Sequence, residues 1–228
     1  MFKFKKSRTV FVIIMLSVIV LLNGCSAGGG VENTENYSFD ASNKTLTIHS
    51  DGYFDSDYEK FKGLDSSYVF ENVVIDDGVT KIGESVFSSC ENLKNITIPN
   101  SVKEIGFGAF NNCKNLESLK IPDGVTEING FTFWGCKNLT SVTIPNSVTE
   151  IGISAFHKCT NIKNITIPNS VIKICDGVRE IGDEKVLESA FYGWTEDQTI
   201  YVQGRSTAPD TWGKDWTHGC KAKIVWNA

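Results

Sequence analysis

The residue types that most often do chemistry are sparse in this chain, and their spacing gives them no obvious partners. The 228 residues include seven cysteines and three histidines, His49, His157 and His218. No His is spaced with another His or with a Cys as metal ligands usually are. The chain also lacks a Gly-Xaa-Ser-Xaa-Gly elbow, a phosphate-binding loop and a dinucleotide fingerprint. We therefore expect no metal, no cofactor and no catalytic residues, and an enzyme is only a minor alternative.

One acidic run imitates a calcium-binding loop. Residues 55–59 (DSDYE) place carboxylates at alternate positions. The sixth place of an EF-hand loop, normally Gly, holds Lys60, and the twelfth, normally Glu, holds Ser66. The run is better interpreted as a solvated acidic loop.

The cysteines follow a pattern that favours packing over disulfide chemistry. Four of them, Cys90, Cys113, Cys136 and Cys159, recur every 23 residues. Cysteines one repeat apart would have parallel side chains, a direction that does not suit a disulfide, so we expect buried free thiols. A disulfide between Cys175 and Cys220 is left open.

The same 23-residue period organises the stretch from Val79 to Ile167, which contains four copies of one pattern. A fixed period of this length is typical of a solenoid, in which each unit buries its apolar side only against its neighbours. Each copy has an alternating strand that ends at Pro, then a second short strand and a turn. The Phe of each copy is expected to point inward, because four exposed rings would form an apolar stripe. These are Phe87, Phe110, Phe133 and Phe156.

The first strand of each copy should present polar columns on one face, because side chains alternate along a strand. Two columns are the candidate ligand-binding residues: Asn95, Ser118, Ser141 and Asn164, and Thr97, Lys120, Thr143 and Thr166. A third column, less surely outward, includes Lys163 and Gln198. Hydroxyl and amide groups suit a glycan or an extended peptide. Thr and Ser are also good residues for an exposed strand, and that alternative is equally favoured.

Two aromatic residues occupy columns that are otherwise small or polar. Trp134 shares its column with Ser88, Asn111 and His157, and Phe131 lies three residues before it. Trp134 is a further candidate for ligand contact, since exposed aromatic residues often anchor partners. Filling a gap in the turn is the slightly favoured alternative. The row Glu104, Glu127 and Glu150 is expected to be solvated surface.

The N-terminus has the order of an export signal. Four basic residues precede a mostly apolar stretch, residues 10–22, which is shorter than the about 20 residues of a membrane span. Leu22-Asn23-Gly24-Cys25 resembles the lipobox of bacterial lipoproteins, and this resemblance implies cleavage before Cys25 and acylation of that residue. A plain signal peptide with an incidental Cys is the alternative.

These patterns divide the chain into five regions. They are a lipoprotein signal peptide (1–24), a flexible tether (25–36), an N-terminal β cap (37–69), the solenoid (70–204, with an insertion within about 171–190) and a C-terminal cap (205–228). From Phe156 to Phe191 is 35 residues, 12 more than the period. The net charge of −5 and the scattered basic residues argue against a nucleic-acid partner.

The repeat from Cys90 to Phe110, Cys-x-x-Leu-x-x-Ile-x-Ile-Pro-x-x-Val-x-x-Ile-Gly-x-x-Ala-Phe, resembles the BspA-type leucine-rich repeat of bacterial surface proteins. The resemblance implies a curved, β-rich solenoid with a parallel sheet on its concave side. It also implies a protein exposed at the bacterial cell surface, where members named as adhesins bind host matrix proteins or other microbes. Together with the polar columns and the lipobox-like end at Cys25, it leads us to expect a protein that is anchored to the membrane through acylated Cys25 and binds a protein or glycan. We expect a monomer. A structural or scaffolding lipoprotein with no external ligand is the alternative.

Overall fold

The computed structural model describes residues 32–33, 37–49, 53–54, 70–181 and 184–227. The expected signal peptide, Cys25 and the acidic run at 55–59 lie outside these residues. Among the described residues, no helix is long and apolar enough to cross a membrane.

The regular elements of the described residues are short strands joined by turns. In chain order they are β1 (Glu32–Asn33), β2 (Tyr37–Asp40), β3 (Thr45–Ile48), β4 (Tyr53–Phe54), β5 (Asn72–Ile75), β6 (Lys81–Ile82), β7 (Asn95–Thr97), β8 (Glu104–Ile105), β9 (Ser118–Lys120), β10 (Glu127–Ile128), β11 (Ser141–Thr143), β12 (Glu150–Ile151), β13 (Asn164–Ile167), β14 (Lys173–Ile174), β15 (Asp176–Ile181), β16 (Glu184–Ser189), β17 (Thr199–Val202) and β18 (Lys223–Trp226).

The strands stack in two rows, as the 23-residue period predicts. In the main row, β3, β5, β7, β9 and β11 pair in parallel, and β13, β17 and β18 form a second parallel group. The second row consists of β4, β6 and β8, then β10, β12 and β14. One copy of the repeat therefore makes one turn of a β-solenoid, and the expected fold class is confirmed.

A column of stacked phenylalanines fills the interior. Phe87, Phe110, Phe133, Phe156 and Phe191 are fully buried. Successive ring centroids are 5.4, 5.7, 5.4 and 5.6 Å apart, with interplanar angles of 18° or less. Near-parallel rings at this separation fit the offset-stacked geometry that aromatic pairs favour. The expected inward orientation is confirmed, and it continues in register beyond the insertion.

The cysteine column supplies hydrogen-bond donors to the same stack. Three of the four thiols donate to the carbonyl of the Phe 26 residues earlier. The thiol of Cys136 stays protonated because burial raises its pKa to about 12. The pairs are Cys113 with Phe87 (2.9 Å), Cys136 with Phe110 (3.1 Å) and Cys159 with Phe133 (3.0 Å). Trp194 takes over this role after the insertion, since its Nε1 donates to the Phe156 carbonyl at 2.9 Å.

All six described cysteines are free thiols. Cys113, Cys136 and Cys159 are buried as expected, whereas Cys90 is only partly buried. Cys175 and Cys220, whose pairing the sequence leaves open, are not joined. The thiol of Cys175 instead donates to Glu150 Oε1 at 3.2 Å.

The ends and the insertion differ in detail from the expectation. The extra residues form an antiparallel hairpin, β15 and β16, that runs from Asp176↔Ser189 to Ile181↔Glu184. The C-terminal cap was expected to be irregular, but it contains strand β18, which continues the main row in parallel with β17. Strand β1 pairs with β2, so part of the expected tether joins the sheet. The hairpin expected at the N-terminal end is present as β2 and β3.

The second row carries the acidic side chains. Glu127 lies directly opposite Glu150, whose carboxylate accepts a hydrogen bond from Lys173 at 2.6 Å. Glu104 is paired with Lys81 at 2.7 Å. Partial burial, together with repulsion from Glu150 and Glu104, raises the pKa of Glu127. The middle of the row is thus exposed surface with like charges in neighbouring strands, an arrangement that costs stability.

Replacing Phe133 with Ala should lower the free energy of unfolding by about 3–5 kcal/mol, because the ring is buried between two others and its removal leaves a cavity. Denaturant titration of the full chain measures this change. Lys137→Ala, at an exposed site in the same copy of the repeat, is the control and should change stability by less than about 0.5 kcal/mol. A loss below about 1 kcal/mol at Phe133 would mean that the column does not bear the packing assigned to it.

Replacing Glu127 with Gln should stabilise the protein at pH 7, by a few tenths of a kcal/mol because the site is exposed. Because the pKa of Glu127 is higher in the folded protein than in the unfolded chain, the ionised carboxylate destabilises the folded state at a pH above that raised pKa. The stabilisation should therefore disappear as the pH falls below the ordinary value of 4.5, where Glu127 is protonated in both states. Glu91→Gln is the matched control, since it removes a carboxylate bonded to Lys114 at 2.6 Å and should not stabilise. Equal responses of the two variants would contradict the charge argument.

Candidate functional site

The candidate ligand-binding residues on the main row form one exposed surface, here called the ladder face. It consists of Asn95, Thr97, Ser118, Lys120, Ser141, Thr143, Asn164 and Thr166, all of which are exposed. The residues between them point into the core: Leu119, Val142 and Ile165 are buried, and Ile96 is partly buried. Alternation along each strand thus separates packing from surface, as expected.

Parallel register converts these residues into two straight columns. Ser118 lies opposite both Asn95 and Ser141, and Lys120 lies opposite Thr143. Neighbouring strands are about 4.8 Å apart and alternate residues of one strand about 6.6 Å apart. The ladder face is therefore a grid of polar groups positioned by backbone hydrogen bonds, on both sides in β7 and β9 and on one side in β11 and β13.

Within the described residues, Asn95 is the one ladder-face residue whose side chain has a hydrogen bond. At the N-terminal end, the Asn95 amide donates to Asn72 Oδ1 at 3.0 Å. Towards the C-terminal end, the side chains of Ser118, Ser141, Thr143, Asn164 and Thr166 make no hydrogen bond within the described part of the chain. These groups face solvent and can bond to a ligand without breaking an internal contact.

The charged residues on and beside the ladder face differ in whether they form ion pairs. Glu71 accepts hydrogen bonds from Lys44 at 2.5 Å and from Lys94 at 2.7 Å, and these bonds lower its pKa to about 2. Lys120 has only a long contact, 3.7 Å to Asp123 Oδ2, and its side chain is 68% exposed. Within the described residues, the exposed Lys163 has no ion pair. Within the described residues, Lys120 on the ladder face and Lys163 beside it are therefore cations without a close ion pair.

The third column is not outward along its full length. Gln198 is 1% exposed, and its amide donates to the carbonyls of Cys159 (3.1 Å) and Ile162 (2.8 Å). It satisfies carbonyl groups at the turn before β13. Gln198 thus fills a structural role that its column position did not indicate.

Trp134 lies on the turns, where its contacts are with other turn residues rather than with the ladder face. Its Nε1 donates to His157 Nδ1 at 3.1 Å, and the Lys158 Nζ lies 4.8 Å from the ring centroid. The side chain is half-buried. These contacts agree with the gap-filling alternative, and ligand contact by Trp134 stays a prediction.

Trp134 and His157 belong to a row of neighbouring rings on the turns that also includes Tyr192 and His218. Sequence reasoning missed the last two. The His157 ring centroid is 4.8 Å from that of Tyr192, which is 6.2 Å from that of His218. Tyr192 occupies the column of Trp134 and His157 once the 12-residue insertion is subtracted, so its position was available from the sequence. His218 had no such signal. Among the described residues, no group of three or more His, Cys, Asp or Glu could hold a metal ion.

Phe131 has an unusual backbone. It has a φ of 58°, and its column neighbours Ser85, Gly108 and Ser154 also lie in the left-handed region. A bulky residue is rare in that conformation. Its ring centroid is 5.2 Å from that of Phe107, which is 46% exposed. The two rings form a small apolar patch on the turns.

Comparison with known proteins agrees with this architecture. The family model described as the BspA type leucine rich repeat region matches residues 60–178 in six copies. No curated protein matches the chain.

Solved bacterial repeat proteins are similar at low identity. A leucine-rich repeat protein from Eubacterium ventriosum is 24% identical, with a TM-score of 0.51, over 78% of this chain and 45% of that one. A Treponema pallidum leucine-rich repeat protein is 23% identical, with a TM-score of 0.45, over 73% of this chain and 67% of that one. A leucine-rich cell surface protein from Faecalibacterium prausnitzii is 27% identical, with a TM-score of 0.40, over 65% and 51%.

The chain spans about half the length of two of these three structures. The Eubacterium structure supports the solenoid fold, and the family model covers more than half of the chain. The chain belongs to the BspA-type leucine-rich repeat family.

Proposed function

We propose that the protein is a cell-surface binding protein that recognises a protein or a glycan through the ladder face. The observation that carries the proposal is the run of solvent-facing hydroxyl and amide groups from Ser118 to Thr166 that have no hydrogen-bond partner within the described chain. A glycan or an extended peptide offers hydroxyl, amide and carbonyl groups that match them.

The rigidity of the surface favours binding. Strands β7 and β9 are held on both sides by parallel neighbours, and β11 and β13 are each held on one side, so the backbone beneath the polar groups is ordered before a ligand arrives. A pre-ordered surface loses less conformational entropy on binding than a flexible one. The exposed Lys120 and Lys163 add attraction for carboxylate or sulfate groups on the ligand.

We propose further that the protein is exported and anchored at the bacterial cell surface by acylation of Cys25. The support is the basic, apolar and small-residue order of the N-terminus and its lipobox-like end. Two acyl chains hold a protein stably on a membrane, whereas one does not. We expect a monomer that binds its ligand directly and no nucleic-acid partner.

Changing Thr143 and Thr166 together to Trp should weaken ligand binding at least about tenfold, a loss of about 1.4 kcal/mol, because indoles at two neighbouring positions of one column would cover the polar groups beside them. The full chain is first screened against arrays of glycans and extracellular matrix proteins. The dissociation constant of any ligand found is then compared between the native protein and the variant.

The matched control for this test is Thr126→Trp, which places the same side chain at an exposed position beside β10, away from the ladder face. The control should bind as the native protein does. Equal loss in both variants would move the site away from the ladder face. Failure to bind anything on either array would favour the scaffolding alternative.

Replacing Cys25 with Ser should release the protein from membranes, because Ser has no thiol to acylate. The measurement is the fraction of protein that sediments with membranes after cell lysis. Cys220→Ser, which changes a cysteine in the folded region, is the control and should stay with the membranes. Full retention of the Cys25 variant would contradict acyl anchoring while leaving the binding proposal untouched.

A further inference from the structure

A serine, a histidine and an aspartate form a hydrogen-bonded series at the N-terminal end of the ladder face. Ser38 lies on β2, His49 directly follows β3, and Asp76 directly follows β5. Ser38 Oγ is 2.9 Å from His49 Nε2, and His49 Nδ1 is 2.6 Å from Asp76 Oδ2. The two ring nitrogens of His49 therefore have different partners, a hydroxyl at Nε2 and a carboxylate at Nδ1.

The identity of the two partners determines the tautomer. A carboxylate only accepts hydrogen bonds, so His49 Nδ1 carries the proton and donates it to Asp76. In the neutral ring, Nε2 is then left with a lone pair, and it accepts the hydrogen bond of the Ser38 hydroxyl. This is the arrangement in which a histidine acts as general base for a serine nucleophile.

Strand pairing holds the three residues in this geometry. Ser38 lies opposite Thr47, which places its side chain diagonally across from His49, two residues further on. The last pair between β3 and β5 is Ile48 with Ile75, and the Asp76 N–H donates to the Ile48 carbonyl at 3.0 Å. His49 and Asp76 therefore leave the sheet side by side.

The stacking of the solenoid does not require these residue types. Asp76 occupies the position at which the four following copies have Pro99, Pro122, Pro145 and Pro168. The side chains of His49 and Asp76 are 35% and 45% exposed, so a molecule from solution can reach the series. A repeat position that departs from its column and joins an accessible triad indicates chemistry rather than packing.

We propose that Ser38, His49 and Asp76 form a nucleophilic triad that hydrolyses small carboxylic esters, an activity separate from ligand binding by the ladder face. Ser38 Oγ attacks the ester carbonyl carbon while its proton passes to His49 Nε2. The C–O bond to the alcohol breaks, and the leaving oxygen takes that proton. Water then attacks the acyl-Ser38 ester, gives its proton to Nε2, and releases the acid as Ser38 recovers its hydrogen. Ser38 and His49 are the catalytic residues and Asp76 is a positioning residue.

The first test is covalent labelling of the full chain with a fluorophosphonate, which reacts with activated serines, followed by mass mapping of the labelled peptide. The label is expected on Ser38 and should be lost in Ser38→Ala. In His49→Gln the labelling rate should fall by about 10²–10⁴-fold, the usual contribution of a general base. Ser42→Ala is the matched control, because the Ser42 hydroxyl donates to Asp40 Oδ1 at 2.6 Å instead of to a histidine. Labelling of this variant should be unchanged.

The second test measures hydrolysis of p-nitrophenyl acetate. Asp76→Asn should lower kcat and leave KM unchanged, and Asp76→Glu should recover part of kcat. A residue that only tied the hairpin to the stack would not produce this pattern. Absence of label on Ser38 in the folded protein, or equal labelling of the native protein and His49→Gln, would overturn the proposal and leave the series as a structural tie between β2, β3 and β5.

Discussion

The structure depends on the stacking of each copy of the repeat on the next. One copy has too few residues to surround its own Phe, so the ring is buried only against the rings and other side chains of the neighbouring turns. The backbone at the same place has a similar constraint. The Phe carbonyl is buried, and it accepts a hydrogen bond from the thiol of the Cys in the next copy. Apolar packing and hydrogen bonding therefore require the same 23-residue spacing.

This double requirement explains why the column can change residue type at the insertion without a break in the stack. Trp194 stands where a Cys would, and its indole N–H reaches the Phe156 carbonyl at a distance within the range of the thiol contacts. These positions share a buried hydrogen-bond donor, which is a thiol in the Cys copies and an indole N–H in Trp194. The hairpin of β15 and β16 is then accommodated because the chain returns to the same ring spacing at Phe191.

The sequence was most informative where the period holds. Within the repeats, a single offset predicts the inward Phe and Cys columns, the parallel register and the outward ladder residues, because each copy repeats the surroundings of the last. The limits are seen at Gln198 and at the series Ser38, His49 and Asp76. Gln198 shares its column with exposed residues but turns inward to satisfy two carbonyls. The members of the series are 11 and 27 residues apart, separations that do not match the 23-residue period.

The positions that stacking leaves undetermined are therefore the ones that carry information about function. On the ladder face these positions hold mostly Thr, Ser and Asn. These residues suit an exposed strand of any solenoid, so they do not indicate a particular ligand. The departures from the columns are fewer and more specific: Trp134 and Phe131 on the turns, and Asp76 in place of Pro. Phe131 has a left-handed backbone, which is costly for a bulky side chain, and its column neighbours are Ser and Gly. The ring of Phe131 lies against that of Phe107, so this departure builds an apolar patch on the turns that the 23-residue period does not dictate.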